Sequence, residues 1–489
     1  MNLRIGGNRR ERVHDPERTA AMACGEAVRG RPAGSLPRTC GAATAERTEG
    51  TPGVSRKLKS SALCPHCWHR FRPDETLWIA SHPDLLGDRL LTPEDPVRFL
   101  PSRFTPEREA IDPGGARTRR LACPNCHLEI PRLVLERPMT IMSIAGSPSS
   151  GKSYFLASAM WKLREDLART FSVAFTDTDP AMNRALTDNE ARLFLSEDRT
   201  ASVHIDKTEL EGSQYNSVQF DPGTATLLAR PFIFTVRPSR DHVNGHAPDR
   251  LTQLFTLYDN AGEHFFPGAD TARAPGTQHL ARAQVLMFVF DPTQDVRFRQ
   301  RLSGVSADPQ LAPGAKVTRQ DQLIVEMAKR VRMHAGLSAG ERIAKPLFVV
   351  LSKSDIWGGL LREESGEPVD IVTPPFERER AGLGKMSVRR VDAVSDRVRA
   401  LLKDLAPEVV AAAEDAFERV IFVPVSAIGT SPALDPASGL LKVPVSRIAP
   451  RWVTVPFLYT LARWSSHLVA NDRGEQGESS MASADLDAG

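Results

Sequence analysis

No stretch of this 489-residue sequence is apolar for long enough to cross a bilayer. The first residues also lack the apolar core of a secretory signal. The expectation is a cytoplasmic protein with no membrane span. Neither sign of charge dominates: 63 Lys and Arg stand against 60 Asp and Glu, a net charge of +3. That is too little to indicate nucleic acid as a partner. Cysteine is scarce, with six in the chain. Four of them form two CxxC pairs, which suit a metal in a reducing compartment better than disulfides. The other two, Cys24 and Cys40, belong to no motif and are given no role. The length leaves room for two or three domains and a sizeable core.

Residues 1–60 are rich in Arg, Gly, Ala, Pro and Thr and carry no periodic apolar pattern. They read as a disordered basic tail; contact with an acidic partner is the alternative. Met22 is an alternative start. Residues 471–489 are small and acidic and read as a second disordered tail.

Residues 61–135 contain Cys64-Pro65-His66-Cys67 and Cys123-Pro124-Asn125-Cys126. Each CxxC makes a tight turn that presents two thiolates to one ion. Two such turns form the tetrahedral four-sulfur site that Zn²⁺ prefers. The pairs stand further apart than in a compact zinc ribbon, and His66, His69 and His127 are alternative ligands. The intervening insert carries Trp78, Phe99 and Phe104 among Pro and charge, as expected of a small β-rich module. The ion there is structural and supplies folding free energy. A redox CxxC is the competing reading, but neither pair opens a helix in a βαβ pattern. Nothing specifies nucleic-acid contact.

Pro131–Pro138 leads directly into Thr140–Ala145, a short apolar run of the kind a buried parallel strand requires. Then follow Gly146-Ser147-Pro148-Ser149-Ser150-Gly151-Lys152-Ser153, the G-x-x-x-x-G-K-S phosphate loop, and Tyr154 at the head of a helical pattern. Gly146 and Gly151 let the backbone curl so that successive N–H groups face phosphates. The helix adds the positive end of its dipole. Lys152 reaches the β- and γ-phosphates and Ser153 ligates Mg²⁺.

Further strands are expected at Phe171–Thr176, Pro231–Val236, Thr252–Tyr258, Val285–Asp291, Lys345–Leu351 and Val420–Val425. Helices are expected at 179–195, 320–334, 391–405, 408–419 and 456–468. Strands alternating with helices predict an α/β fold with a mainly parallel sheet covered on both faces. Four motifs end such strands. Asp259-Asn260-Ala261-Gly262 puts a carboxylate beside Mg²⁺ and a glycine N–H beside the γ-phosphate. Ser352-Lys353-Ser354-Asp355 and Ser426-Ala427-Ile428-Gly429 follow.

The order G-x-x-x-x-G-K-S, D-x-x-G, S-K-x-D, S-A-x-G resembles the Ras-like (TRAFAC-class) P-loop GTPases and spans residues 138–470. The resemblance implies a three-layer sandwich and a GTP/GDP switch with slow hydrolysis, aided by an activating protein. By that resemblance Asp355 accepts from the guanine N–H and amino groups. Lys353 lays its stem over the base. Ser426, Ala427 and Ile428 shape the base pocket, and Ser352 braces it. Gly262 senses the γ-phosphate. Glu263 stands where many relatives carry a water-orienting Gln, and His264 is the substitute. Paired CxxC ahead of such a domain also resembles the bacterial "double-GTPase" proteins. That layout implies control of effector proteins in a multi-gene conflict or defence system. Thr200, Thr224 and Thr226 are candidates for the switch threonine. An ATP-using P-loop enzyme, or a zinc-bearing adaptor that binds nucleotide without turnover, are the alternatives.

Overall fold

Seven segments of the chain join one sheet. In chain order they are β1 (Met139–Gly146), β2 (Val173–Asp177), β3 (Phe232–Pro238), β4 (Gln253–Asp259), β5 (Val285–Phe290), β6 (Leu347–Leu351) and β7 (Val420–Pro424). Their spatial order is β2-β3-β4-β1-β5-β6-β7. The two outer pairings, β2 with β3 and β3 with β4, are antiparallel. The four from β4 to β7 are parallel. Every residue of β4, β5 and β6 is buried. This is why those stretches are near-continuous apolar runs rather than alternating ones: both faces are covered. The computed structural model describes residues 58–205, 215–221, 224–259, 278–378, 384–465 and 467–473, all within the compact unit Arg56–Gly489.

The main helices are α1 (Lys152–Phe171), α2 (Arg184–Phe194), α3 (Gln320–Ala335), α4 (Val388–Leu405), α5 (Pro407–Ala416) and α6 (Val455–Thr460). Helix α4 shows how pattern becomes packing. It buries Val388, Val391, Val394, Ser395, Val398 and Leu402, one stripe of a 3.6-residue period. Within that stripe the Ser395 Oγ accepts from the Phe422 N–H of β7 at 2.9 Å, so the one polar member is satisfied. Ser387 caps the helix by accepting from the Arg390 N–H.

Helix α6 is shorter than the apolar run Pro456–Leu468 suggests. It gives way at Leu461–Ser465 to a wider π turn, and the Asn471 side chain donates to the Ala462 carbonyl at 3.0 Å. Phe457 of α6 stacks on Phe155 of α1 and lies 6.1 Å from Phe255 of β4. Several elements escaped the periodicity reading, two of them substantial. The hairpin Tyr215–Asp221/Thr224–Ala229 occupies a stretch that reads as turns and short runs. The helix Val296–Leu302, capped by Asp295, follows β5.

Ahead of the sheet, residues 58–137 fold into strands of two or three residues around the four CxxC cysteines. No described helix is long and apolar enough to cross a membrane.

Candidate nucleotide pocket and cysteine cluster

The phosphate loop is built at the end of β1. Gly146 has φ +152°, and a Cβ placed on it would lie 2.6 Å from the Val289 carbonyl oxygen of β5, so only glycine fits. Ser149 and Gly151 also take positive φ, +65° and +92°, which curls the loop before α1 begins. Lys152 is buried and donates to the carbonyls of Gly146 and Ser147 at 3.1 and 3.0 Å. Its ammonium is thus held over the loop that the sequence assigns to phosphate.

Residues from Pro148 to Tyr154 line a pocket of about 390 Å³ together with Ser352, Lys353, Asp355, Ser426, Ala427 and Ile428. Three motifs, the second about 200 residues and the third about 275 residues after the first, therefore meet in one cavity, at the ends of β1, β6 and β7. Gly146 and Ser147 lie behind the lining; the buried Ser147 hydroxyl turns to the Gln320 Oε1 at 3.4 Å. Asp259 closes β4 and is in register with Ile144 of β1, hence at the same edge of the sheet. Gly262, Glu263 and His264 lie outside the described residues. Thr200 is exposed, with its hydroxyl donating to Asp198. Thr224 and Thr226 sit in the hairpin. None of the three is among the described residues lining the pocket.

Where β6 and β7 end, Ser426 Oγ donates to the Asp355 carboxylate and accepts from the Gly429 N–H at 2.8 Å. Burial, with Asp308 nearby, raises the Asp355 carboxyl above the usual carboxylate range, while the Ser426 hydroxyl opposes the rise. Ser352, one atom group shorter than Asn or Thr, uses its hydroxyl only on the Phe290 carbonyl at 3.1 Å. Other residues brace this end. Trp357 donates to the Ser352 carbonyl at 2.7 Å. The Lys353 ammonium is fixed by Asp291, Thr293 and Gln310 at 2.6, 3.0 and 2.6 Å. Gln294 donates to the Pro148 carbonyl at 3.0 Å and to Asp291 at 3.1 Å, so it ties the phosphate loop to the anchor of Lys353. Pro148 lacks an N–H, yet its carbonyl is held.

Asp291, Gln294, Gln310 and Gln320 were missed in the sequence as site residues. Asp291 alone carries a signal, a carboxylate ending the strand beside the phosphate-loop strand. A second wall was missed as well. The strands Ala433–Leu434 and Leu441–Pro444 form a hairpin, and Leu441–Pro444 pairs with Ser202–Val203. This places His204, Ile205, Leu441 and Val443 against the pocket, with His204 Nδ1 donating to the Leu441 carbonyl at 3.1 Å. Tyr154, expected at the nucleotide, accepts from the Ile205 N–H through its hydroxyl at 2.9 Å.

The second cluster is sulfur. The Sγ atoms of Cys64, Cys67, Cys123 and Cys126 all lie within 4.8 Å of one another. The Cys64–Cys126 and Cys67–Cys123 separations are both 3.7 Å. A tetrahedral ion with Zn–S bonds of about 2.3 Å needs sulfur–sulfur edges of about 3.8 Å. The donor set fits Zn²⁺. The two turns repeat one geometry. Trp68 and His127, each following a second cysteine, take φ +56° and +59° and donate back to the carbonyls of Cys64 and Cys123. The histidines are engaged elsewhere. His66 donates from Nε2 to the Glu129 carbonyl at 2.9 Å, and burial pushes its imidazole down to about 4. His127 Nδ1 meets the Asp88 carboxylate at 2.8 Å, and His69 is exposed. The four thiols complete the set without them.

No protein-family model matches the chain, and no curated protein matches it. Among solved structures, Sup35 complexed with GDP aligns at 14% identity and a TM-score of 0.19, over 61% of this chain and 40% of that one. The GTPase-like domain of S. cerevisiae Ski7, bound to GTP, aligns at 13% identity and a TM-score of 0.22, over 66% and 50%. The chain thus spans half or less of these relatives' length. At such TM-scores the likeness carries no argument for fold or function, which rest on the geometry above.

Proposed function

We propose that this chain binds GTP and hydrolyses it slowly, as a Ras-like nucleotide switch. One observation carries the reading. The phosphate loop and the hydrogen-bonded Asp355–Ser426 pair line the same pocket. A carboxylate held there accepts two hydrogen bonds from the N–H and amino group of guanine, a pattern adenine does not offer. The sheet order, with parallel strands from β4 to β7, supports the same reading.

In this reading Lys152 and the loop N–H groups stabilise charge developing on the γ-phosphate as water attacks in line. Bound Mg²⁺ would neutralise the β- and γ-oxygens. Ser153 on the first turn of α1 and Asp259 at the same edge of the sheet are the residues that would hold it. Gly262 would sense the γ-phosphate, and Glu263 or His264 would orient the water. A carboxylate at residue 263 repels the γ-phosphate, so turnover is slow until a partner supplies a cation. The cysteine module, residues 61–135, would take one structural Zn²⁺ ahead of a nucleotide domain over residues 138–470. Regulation of effector proteins, within a bacterial multi-gene conflict system in the cytoplasm, is what the resemblance in layout, paired CxxC ahead of such a domain, would imply.

The test is titration with GTP, GDP, ATP and ADP in Mg²⁺, beside Asp355→Asn with xanthosine nucleotides. The parent prefers guanine by at least tenfold. The variant shifts toward xanthine, because an acceptor has become a donor. Equal or tighter ATP binding, insensitive to Asp355, would overturn the reading in favour of an ATP-using enzyme.

A further inference from the structure

The cysteine knuckle does not stand apart from the sheet. Tyr258, the residue before Asp259, is fully buried at the end of β4. Its hydroxyl donates to the Pro65 carbonyl inside the first CxxC turn. The same hydroxyl accepts from the Trp68 indole N–H at 3.1 Å. One oxygen is therefore gripped twice by a turn whose shape depends on Cys64 and Cys67. The Tyr258 ring stacks on His279, with centroids 4.8 Å apart and planes 8° from parallel. His279 is itself fully buried and hydrogen-bonds Ser143 Oγ of β1 at 2.7 Å. Trp68 completes the cluster, 5.9 Å from Tyr258 and 6.1 Å from His279. A second tie runs from His66 to Asn216 of the hairpin, and a third from the Leu90 carbonyl to the Gln219 N–H.

We propose that Tyr258 is a positioning residue. Through it the metal-closed Cys64–Trp68 turn sets the backbone that presents Asp259, and so tunes the site's demand for Mg²⁺. The inference rests on the GTP reading above. The physical reason is stiffness. A tyrosine on a buried strand has little rotamer freedom, and hydrogen bonds to backbone and indole fix the last of it. A carboxylate one residue on can shift only if that strand end shifts. Removing the ion frees the Pro65 carbonyl and the Trp68 turn, and the strand end loses its external brace.

The experiment uses the full chain. GDP and GTP binding is measured over a Mg²⁺ titration for the parent, for Tyr258→Phe and for the parent after zinc chelation, with zinc counted per chain. Tyr258→Phe keeps the ring and its stack but loses both hydroxyl bonds. The expected result is a Mg²⁺ midpoint raised roughly three- to tenfold, with nucleotide affinity in buffer without added Mg²⁺ unchanged and one zinc retained. Chelation moves the midpoint the same way. A variant that is merely less stable would melt earlier with an unmoved Mg²⁺ midpoint, and that result overturns the proposal. If Tyr258→Phe does not accumulate folded, Trp68→Phe removes the indole donor together with part of the ring, and is read by the same Mg²⁺ midpoint and melting outcomes. Failure of the parent to bind guanine nucleotide at any Mg²⁺ concentration would instead overturn the GTP reading.

Discussion

Around the cysteine cluster no strand exceeds three residues, whereas the strands of the main sheet run from five to eight. The two regions are held by different physics. The sheet buries Phe288, Phe290, Phe348 and their neighbours on both faces, at about 25 cal/mol for each Å² of apolar surface withdrawn from water. The cysteine module has a thinner apolar core, and its turns are closed by four sulfurs whose spacing matches one ion. A fold made of turns has few ladder hydrogen bonds, and a metal held by the four sulfurs would supply the missing free energy.

The comparison breaks most readily at the sulfurs. Cys126→Ser should abolish stoichiometric zinc binding and open residues 58–137 to proteolysis, since a structural Zn²⁺ contributes about 10–16 kcal/mol gross. A variant that kept one zinc per chain and full protease resistance would erase the distinction. In the sheet the expected loss is smaller and blind to metal. Phe288→Ala, at a fully buried site on β5, should cost about 3–5 kcal/mol in denaturant unfolding, with no recovery on adding zinc. Zinc rescue would show that the two regions are stabilised as one.

The smallest effect sharpens the pocket itself. Burial raises the Asp355 carboxyl, so the folded chain holds that proton to a higher pH than the unfolded chain. Between the ordinary carboxylate range and the raised value, stability is lost as pH rises. Guanine binding needs the ionised form, so affinity falls as pH drops through the same window. A plot of affinity against pH therefore bends above the ordinary Asp range in the parent. The bend is absent in Asp355→Asn.

What could be read from the sequence follows the same division. β1, β5, β6 and β7 are legible because strands covered on both faces become apolar runs. The CxxC pairs are legible because one ion needs four thiolates. The antiparallel placement of β2 left no mark in composition. The wall made by Ser202–Val203 and Leu441–Pro444 is a ladder of two residue pairs between segments about 240 residues apart. No local periodicity announces such a contact. The roles of Gln294 and Gln320 were hidden for another reason. A buried amide serving as a brace is spelled like any surface glutamine, and only its partners, Pro148, Asp291 and Ser147, reveal it.

That late-closing wall has a bearing on synthesis. The phosphate loop leaves the ribosome about 200 residues ahead of Asp355. Ser426 and Leu441–Pro444 emerge later still, and the segment that Leu441–Pro444 must cover has by then waited for some 240 residues. At about 5–20 residues per second the delay is on the order of ten seconds to a minute. On the reading proposed above, the residues that would hold phosphate are therefore made well before those that would choose a base.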